Sequence, residues 1–553
     1  MNTGAPGQVR RPLAASGSLP WCPGTAARWL PALRWLGFIV IGGMLSVARG
    51  QDANWDLANY HLYNAFALLN GRVGLDLLPA SLQSGFNPVL DLPFYWLAMG
   101  PLAGLPRVLA FLQGAWFGLL MAATWRLARL VLPRAEPLLS WLAVAIAGTA
   151  GATWANIGTS SNDIPVAALL LWGLAIAFAA REGEGGGISP RHLIAVGALL
   201  GAASGLKLTV LVFVPGSMAA FAIVAPDWRS RARALGWIAL GCVLAMLLAA
   251  GPWAWLIWRR YGNPIFPLMN SLFRSAWYPP ASMRDVNFLP HSAWQEVFYP
   301  FWWLRWNLSV SEYAFRDARL ALTFFAVPVL GLGLLFGRTW DSRAGERRRL
   351  AGLLAFVVIG FALWEAMFSI FRYLQALEAV AAILIVAAVR VGVTAFPADR
   401  NGGRWRAPGA VLASCGVLAL LLAHTQPPHY RHVAFADRQF RFAAPVLPAN
   451  SLVLVGEPPV AIAAPFLAGP AVRFVGVGWA TLGARGYRLF DETRAAIAAH
   501  PANLFILTRD LGPRVAQAEA AFGFDIVRES CAPLDNNITP PGEMLFCAAR
   551  VRN

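Results

Sequence analysis

Six side chains carry chemistry that does not suit their apolar surroundings. Lys207 is the single lysine of the chain, set in Gly205-Leu206-Lys207-Leu208-Thr209-Val210 between two apolar runs. An ammonium there costs several kcal/mol unless it meets an anion or reaches the head groups, so it reads either as a snorkelling lysine or as the partner of an anionic ligand. Arg372, in Phe371-Arg372-Tyr373-Leu374, closes a late apolar stretch, and Arg259 and Arg260 close an earlier one. Lipid phosphate is the simplest partner for each of these arginines. Asp56 ends the polar stretch Gln51-Asp52-Ala53-Asn54-Trp55-Asp56, and Asp163 opens an apolar run in Ser160-Ser161-Asn162-Asp163-Ile164-Pro165. Each carboxylate has two readings, an ordinary helix cap or an acid/base group. Taken together, a carboxylate and phosphate-binding cations suit transfer of a group carried on a lipid phosphate. Ion translocation would require a string of carboxylates within the apolar runs, and none is present.

The elements that must hold these residues follow from composition. The 553 residues are 58% hydrophobic and 13% charged, with a mean hydropathy of +0.54. Soluble domains carry about 25% charged residues, and disordered chains lack apolar ones, which leaves a polytopic α-helical membrane protein. Eleven membrane segments are read at 29–48, 108–131, 138–154, 164–180, 193–206, 208–225, 234–257, 320–337, 350–369, 374–389 and 408–424. Several fall short of the roughly 20 residues that a straight span needs, and the pair broken at Gly205 and Lys207 is short or re-entrant. With the N-terminus inside, the clusters Arg10, Arg11 and Arg28; Arg126, Arg129 and Arg134; Arg181 and Arg191; Arg229, Arg231 and Arg233; Arg338, Arg343 and Arg347–Arg349; and Arg390, Arg400, Arg404 and Arg406 all fall on the cytoplasmic side. The net charge of +17 is thereby a topology signal, and nucleic acid is not an expected partner. The first segment is read as a retained anchor after a cytoplasmic tail (1–28); Ser46-Val47-Ala48 also resembles a signal-peptide cleavage site.

This topology puts loops 49–107 and 258–319, and a C-terminal domain at 425–553, on the outer side. A helix starting near Asp56 would set Asp56, Asn59, Tyr60 and Tyr63 on one face and Leu62, Ala65, Phe66 and Leu69 on another, an amphipathic interfacial helix. His61 then lies on the helix surface. In the C-terminal domain, Leu452–Val455, Val472–Val477 and Leu504–Leu507 read as strands and Asp491–His500 as a helix, a small α/β unit. Cys531 and Cys547 lie there and either pair or remain thiols; Cys22, Cys242 and Cys415 are given no chemistry. Gly183–Gly187 reads as a flexible inner loop, and Gly331, Gly333 and Gly337 as helix-packing positions.

At these residues the chain resembles the GT-C superfamily of membrane glycosyltransferases, in particular the bacterial aminoarabinose transferases and protein O-mannosyltransferases. The features are Asp56 with Asn59-Tyr60 and Asn70-Gly71, the entry Asn87-Pro88-Val89-Leu90-Asp91-Leu92-Pro93-Phe94-Tyr95-Trp96, Asp163 before a span, Gly205-Leu206-Lys207 with Pro215, and Arg372-Tyr373. The family's Asp-Glu pair is Asp56-Leu57 here, which leaves Asp52 as a rival base. The resemblance implies a multi-pass protein of the bacterial inner membrane with its active site and C-terminal domain facing the periplasm. Such an enzyme takes a sugar from a polyprenyl-phosphate donor and passes it to a lipid, glycan or protein acceptor. Asp56 would be the general base and Asp163 would orient acceptor, sugar or metal. Lys207 and Arg372, with Tyr60, Tyr373, Arg259 or Arg260 nearby, would bind the donor. A Mg²⁺ or Mn²⁺ requirement stays open, since His61 and His291 show no ligand spacing. A lipid-linked-saccharide transporter or flippase would instead place functional charge deep in the spans and on both sides. A non-catalytic cell-envelope scaffold would tolerate loss of Asp56 and Lys207.

Overall fold

The computed structural model describes residues 26–180, 189–281, 284–336, 344–395, 405–469, 471–500 and 502–552. Arg10, Arg11, Cys22, Arg181, the loop Gly183–Gly187, Gly337, Arg338, Arg343, Arg400 and Arg404 lie outside these residues.

Each apolar run forms a helix. In chain order they are α1 (Ala26–Arg49), α2 (Pro106–Val131), α3 (Pro137–Gly148), α4 (Asp163–Ala179), α5 (Pro190–Leu206), α6 (Val214–Val224), α7 (Trp228–Tyr261), α8 (Arg319–Leu335), α9 (Ala344–Met367), α10 (Gln375–Ala395) and α11 (Arg406–His424). Among the described residues, six helical stretches are long and apolar enough to cross a membrane, starting at Ala32, Pro106, Trp228, Gly345, Phe371 and Arg406. The others are shorter; the run expected at 374–389 extends to Phe371–Ala395 and joins the long ones.

The breaks have local causes. Lys207 is extended, with φ −145° and ψ 110°, and a 3₁₀ segment, Leu208–Phe213, leads into α6. The Asn87 side-chain amide bonds the carbonyls of Gly205 and Ala249, each at 2.9 Å, which satisfies backbone left open where α5 ends. Helix α7 runs well beyond its expected 234–257, capped by Asp227, whose carboxylate accepts from the Ser230 amide, and stopped at Gly262 in the left-handed region. Helices α5 and α7 touch backbone to backbone: a Cβ on Gly201 would stand 2.0 Å from the Cys242 carbonyl, so only glycine permits the contact.

Residues 51–67 are almost entirely buried, wedged between the helices and the C-terminal domain. The interfacial amphipathic helix expected here is therefore absent, because both of its faces find protein. The domain's strands are β1 (Leu452–Val455), β2 (Arg473–Gly476), β3 (Leu504–Thr508), β4 (Phe524–Ile526), β5 (Ala532–Pro533) and β6 (Leu545–Val551). They form one sheet in the order β2-β1-β3-β6-β4, with β5 also on β6; β2, β1 and β3 are parallel and β6 is antiparallel to β3. The expected helix appears at Arg488–Ala498. The edge strand β2 does not face solvent: Leu77 bridges to Val475, the Phe474 amide donates to Asp76, and Arg72 donates to the Val472 carbonyl. Cys531 and Cys547 form a disulfide that ties the segment after β4 to β6.

Candidate active site

The site begins with Asp52. Its carboxylate is buried and accepts from the Asn54 backbone and side-chain N–H groups and, at 2.7 Å, from the Ser160 amide. Asn54 Oδ1 in turn accepts from the Leu57 amide at 2.8 Å. The cap of the helix is thus Asn54, not Asp56, which already has helical dihedrals and makes no cap bond. One buried carboxylate fixes both the start of the helix that carries Asp56 and the loop that leads to Asp163. Burial pushes Asp52 above the ordinary carboxylate pKa, although His432 and the bonds from Ser160 and Asn54 oppose it.

From Leu57 to His61 the helix makes a π turn, and α-helical geometry resumes at Leu62–Leu69. The wider turn changes which side chains share a face. Asp56 points to Arg372, whereas Tyr63, expected beside it, donates to Asp76 at 2.9 Å. Asn59 donates to the Ala80 carbonyl. His61 is buried, not on the helix surface: its Nδ1 lies 2.8 Å from Asp91 Oδ1, which also accepts from Asn162 Nδ2 at 2.5 Å. Tyr60 lies over His61, with ring centroids 4.2 Å apart.

Two ion pairs form the centre. Arg372 Nη1 donates to Asp56 Oδ2 at 2.5 Å, and Lys207 Nζ donates to Asp163 Oδ1 and, at 2.7 Å, to the Ser161 carbonyl. The Tyr373 ring joins them, 5.3 Å from Lys207 Nζ and 5.5 Å from the Arg372 guanidinium. The pairs tilt the same way: the Arg372 and Lys207 side chains are 18% and 16% exposed, Asp56 and Asp163 only 6% and 3%. In each pair the cation is the more exposed member and the carboxylate the more buried. Arg372 sits on a 3₁₀ turn, Phe371–Leu374, anchored where the Phe371 amide donates to the Val310 carbonyl and its ring stacks on Phe315 at 3.9 Å. Burial raises the pKa of Asp56, but Arg372, with His61 and Lys207, outweighs it and holds the carboxyl below its ordinary value.

The centre is incompletely satisfied. Arg372 Nε, Asp163 Oδ2 and the Tyr430 hydroxyl are buried without a hydrogen-bond partner. Tyr430 comes from the segment after α11, which is bridged at Gln426 to Arg316 and then pairs His432-Val433 with Gln51-Asp52. Its ring meets Tyr313 edge-on at 5.5 Å, and the charges of Arg372, Glu312, Asp163 and Asp56 all act on its phenol, which burial has already pushed well above the usual tyrosine pKa. Burial also raises the pKa of Tyr313.

The structure thus gathers Asp56, Asp163, Lys207, Arg372, Tyr373 and Tyr60 and places Asp52 behind them as a support. Arg259 and Arg260 stand apart: Arg259 is exposed, and Arg260 lies on the Trp277 ring at 4.6 Å. Asp91, His61, Asn162 and Tyr430 were not expected in the site. Asp91 carried a usable signal, a carboxylate inside the apolar Pro88–Trp96 run; Tyr430 carried none. Among the described residues no group of three His, Cys, Asp or Glu side chains is gathered to hold a metal ion.

The helices, the buried wedge at 51–67 and the appended sheet make up a fold shared with a solved membrane-protein structure. The structure of ArnT, an aminoarabinose transferase, from Cupriavidus metallidurans in the apo state superposes with a TM-score of 0.52 at 13% identity, over 95% of this chain and 99% of that one. The same protein bound to undecaprenyl phosphate gives 0.48 at 14% identity over the same shares. The Archaeoglobus fulgidus oligosaccharyltransferase in complex with Zn and sulfate gives 0.47 at 13% identity over 85% of this chain and 68% of that one. No protein-family model matches the sequence, and no curated protein matches it.

Proposed function

We propose that this chain is an integral-membrane glycosyltransferase of the bacterial inner membrane. It moves a sugar from a polyprenyl-phosphate donor to a periplasmic lipid, glycan or protein acceptor. The observation that carries this reading is the pair of partly exposed cations, Lys207 and Arg372, lying over two buried carboxylates with donor and acceptor atoms left unmet. The shared GT-C fold supports it.

In the proposed reaction an acceptor hydroxyl attacks the anomeric carbon while the bond from that carbon to the phosphate oxygen breaks, so configuration inverts in one step. Asp56 takes the hydroxyl proton, and the phosphate leaves with its charge held by Lys207 and Arg372. Before the donor arrives Asp56 is a weak base, because Arg372 stabilises its ionised form. A phosphate that draws Arg372 toward itself loosens that hold and raises the basicity of Asp56 when it is needed. Asp163, with one oxygen on Lys207 and one free, orients sugar or acceptor. The sheet domain, in the periplasm, closes the site from outside. A Mg²⁺ or Mn²⁺ ion would add charge against the donor phosphate, but Asp163, already paired with Lys207, offers it one oxygen only.

The test is transfer by the purified protein in lipid from radiolabelled polyprenyl-phosphate sugars to a membrane extract. Wild-type transfer that is lost in both Asp56→Asn and Lys207→Ala, with both variants folded, is the expected result. Undiminished transfer by Asp56→Asn would overturn its role, and donor left unconsumed by wild type would overturn the enzyme reading.

A further inference from the structure

At the other end of α1 lies a second basic centre that the proposed reaction does not use. A cavity of about 480 Å³ is lined by Arg34, Arg126, Arg129 and Arg134 together with Trp125 and Trp141. Arg34 stands on α1 fifteen residues before Arg49, so about 22 Å of helix separates this cavity from the Asp52–Asp56 end. It is therefore at the opposite membrane face, the one where the arginine clusters collect.

Three of these arginines, Arg34, Arg126 and Arg129, bring positive charge to the cavity. Among the described residues no carboxylate forms an ion pair with Arg34, Arg126 or Arg129. Glu136, the carboxylate nearest in sequence, is taken by Arg390, with N–O distances of 2.6 and 2.9 Å. Arg129 spends one nitrogen on the Arg134 carbonyl at 3.2 Å, while its Nη1 and Arg34 Nε are buried without a partner. The Arg34 guanidinium lies 3.8 Å above the Trp125 ring, which holds it in place but neutralises nothing. Like-charged guanidiniums lining one cavity repel, and buried N–H donors left unmet are costly. An anion with several acceptor oxygens removes both penalties. Planar guanidinium forks match phosphate oxygens in pairs, and the half-exposed Trp141 supplies the amphipathic ring that suits the head-group level of a bilayer.

We propose that this cavity binds the phosphate of an anionic membrane lipid between α1, α2 and the turn before α3, as a site separate from the donor phosphate site. Basic pockets between membrane helices on the cytoplasmic side suit such head groups.

The experiment uses the full chain in nanodiscs of phosphatidylcholine alone, phosphatidylcholine with phosphatidylglycerol, or phosphatidylcholine with millimolar inorganic phosphate. Retained lipid is measured by native mass spectrometry and thermal unfolding is followed in parallel. Wild type is expected to retain phosphatidylglycerol and to melt higher in its presence. The double variant Arg126→Ala/Arg129→Ala should lose about 30-fold in affinity and the melting shift with it, and Arg126→Lys/Arg129→Lys, which keeps the charge, should stay within a few-fold of wild type. A response to inorganic phosphate with none to phosphatidylglycerol would overturn the lipid assignment. Equal retention of phosphatidylglycerol by wild type and the alanine double variant would overturn the site. Because the readout is lipid retention, the result stands apart from whether Asp56 supports transfer.

Discussion

Two buried ionic centres in this protein differ in one respect, and the difference separates architecture from chemistry. Arg319, fully buried at the start of α8, spends all its nitrogens: Nε on the Ile146 carbonyl, Nη1 on Asp317 and Thr425, and Nη2 on the Thr149 carbonyl and hydroxyl. Asp317 completes the set by accepting from the Arg319 and Gly151 amides. Beside it Glu378 accepts from the Ala152 and Thr153 amides, so the two carboxylates cap the short helix at Gly151–Ala155 that leads to Asp163. At Asp56–Arg372 and Asp163–Lys207 ion pairs of the same kind are left with unmet atoms and with partly exposed cations. A closed ion network holds a fold, and an open one waits for a ligand.

The comparison breaks most sharply at Asp56. Asp56→Asn should lower transfer about 10²–10⁴-fold, the range for a general base, while leaving thermal unfolding near wild type; a collapse of stability instead would class this pair with Arg319. Arg319→Met should do the opposite. It strands Asp317 in the interior, at a cost of about 3–5 kcal/mol, and should be read as a lower melting temperature and little folded protein in nanodiscs. If it melts like wild type, the closed network is not what holds the 149–163 segment. Tyr430→Phe removes a hydroxyl with no partner, so stability should not fall. Transfer should drop by about 5–10-fold, the worth of one hydrogen bond made only to bound substrate; a lower melting temperature with unchanged kinetics would make the hydroxyl structural.

The smallest effect concerns pH. The Arg372 guanidinium holds the folded Asp56 carboxyl below its ordinary pKa. A carboxylate lowered on folding contributes stability above its unfolded pKa and loses it as pH falls through the folded value. The contribution from Asp56 is therefore constant from neutral pH down to about 5, below which the unfolded carboxyl begins to take up protons. Thermal unfolding of wild type and Asp56→Asn, compared across that range, should differ by a small and constant amount; a difference that changes near pH 6 would mean that Asp56 is not held ionised by Arg372.

Much of this was legible in the sequence, for physical reasons. Apolar runs fixed where the helices lie, because nothing else suits such a composition. The reacting groups stood out because lysine, arginine and aspartate are costly beside those runs, which is how Asp56, Asp163, Lys207 and Arg372 were found. Their pairing was not legible: 316 residues separate Asp56 from Arg372 and 44 separate Asp163 from Lys207. The π turn at Leu57–His61 also left no sign, and it sent Tyr63 away from Asp56. In the sheet domain, strands β1 to β3 announced themselves as apolar runs, while Phe524–Ile526 and Leu545–Val551, with polar and small residues interleaved, did not.

The most direct measurement is the affinity of polyprenyl phosphate for the protein in nanodiscs, compared across wild type, Arg372→Ala, Lys207→Ala and Arg260→Ala. The open ionic centre predicts that Arg372→Ala and Lys207→Ala each weaken binding by about 10-fold or more, the worth of a charge-assisted bond to phosphate, and that Arg260→Ala binds as wild type does. Wild-type affinity in Arg372→Ala and Lys207→Ala would contradict the account, because the phosphate would then rest elsewhere.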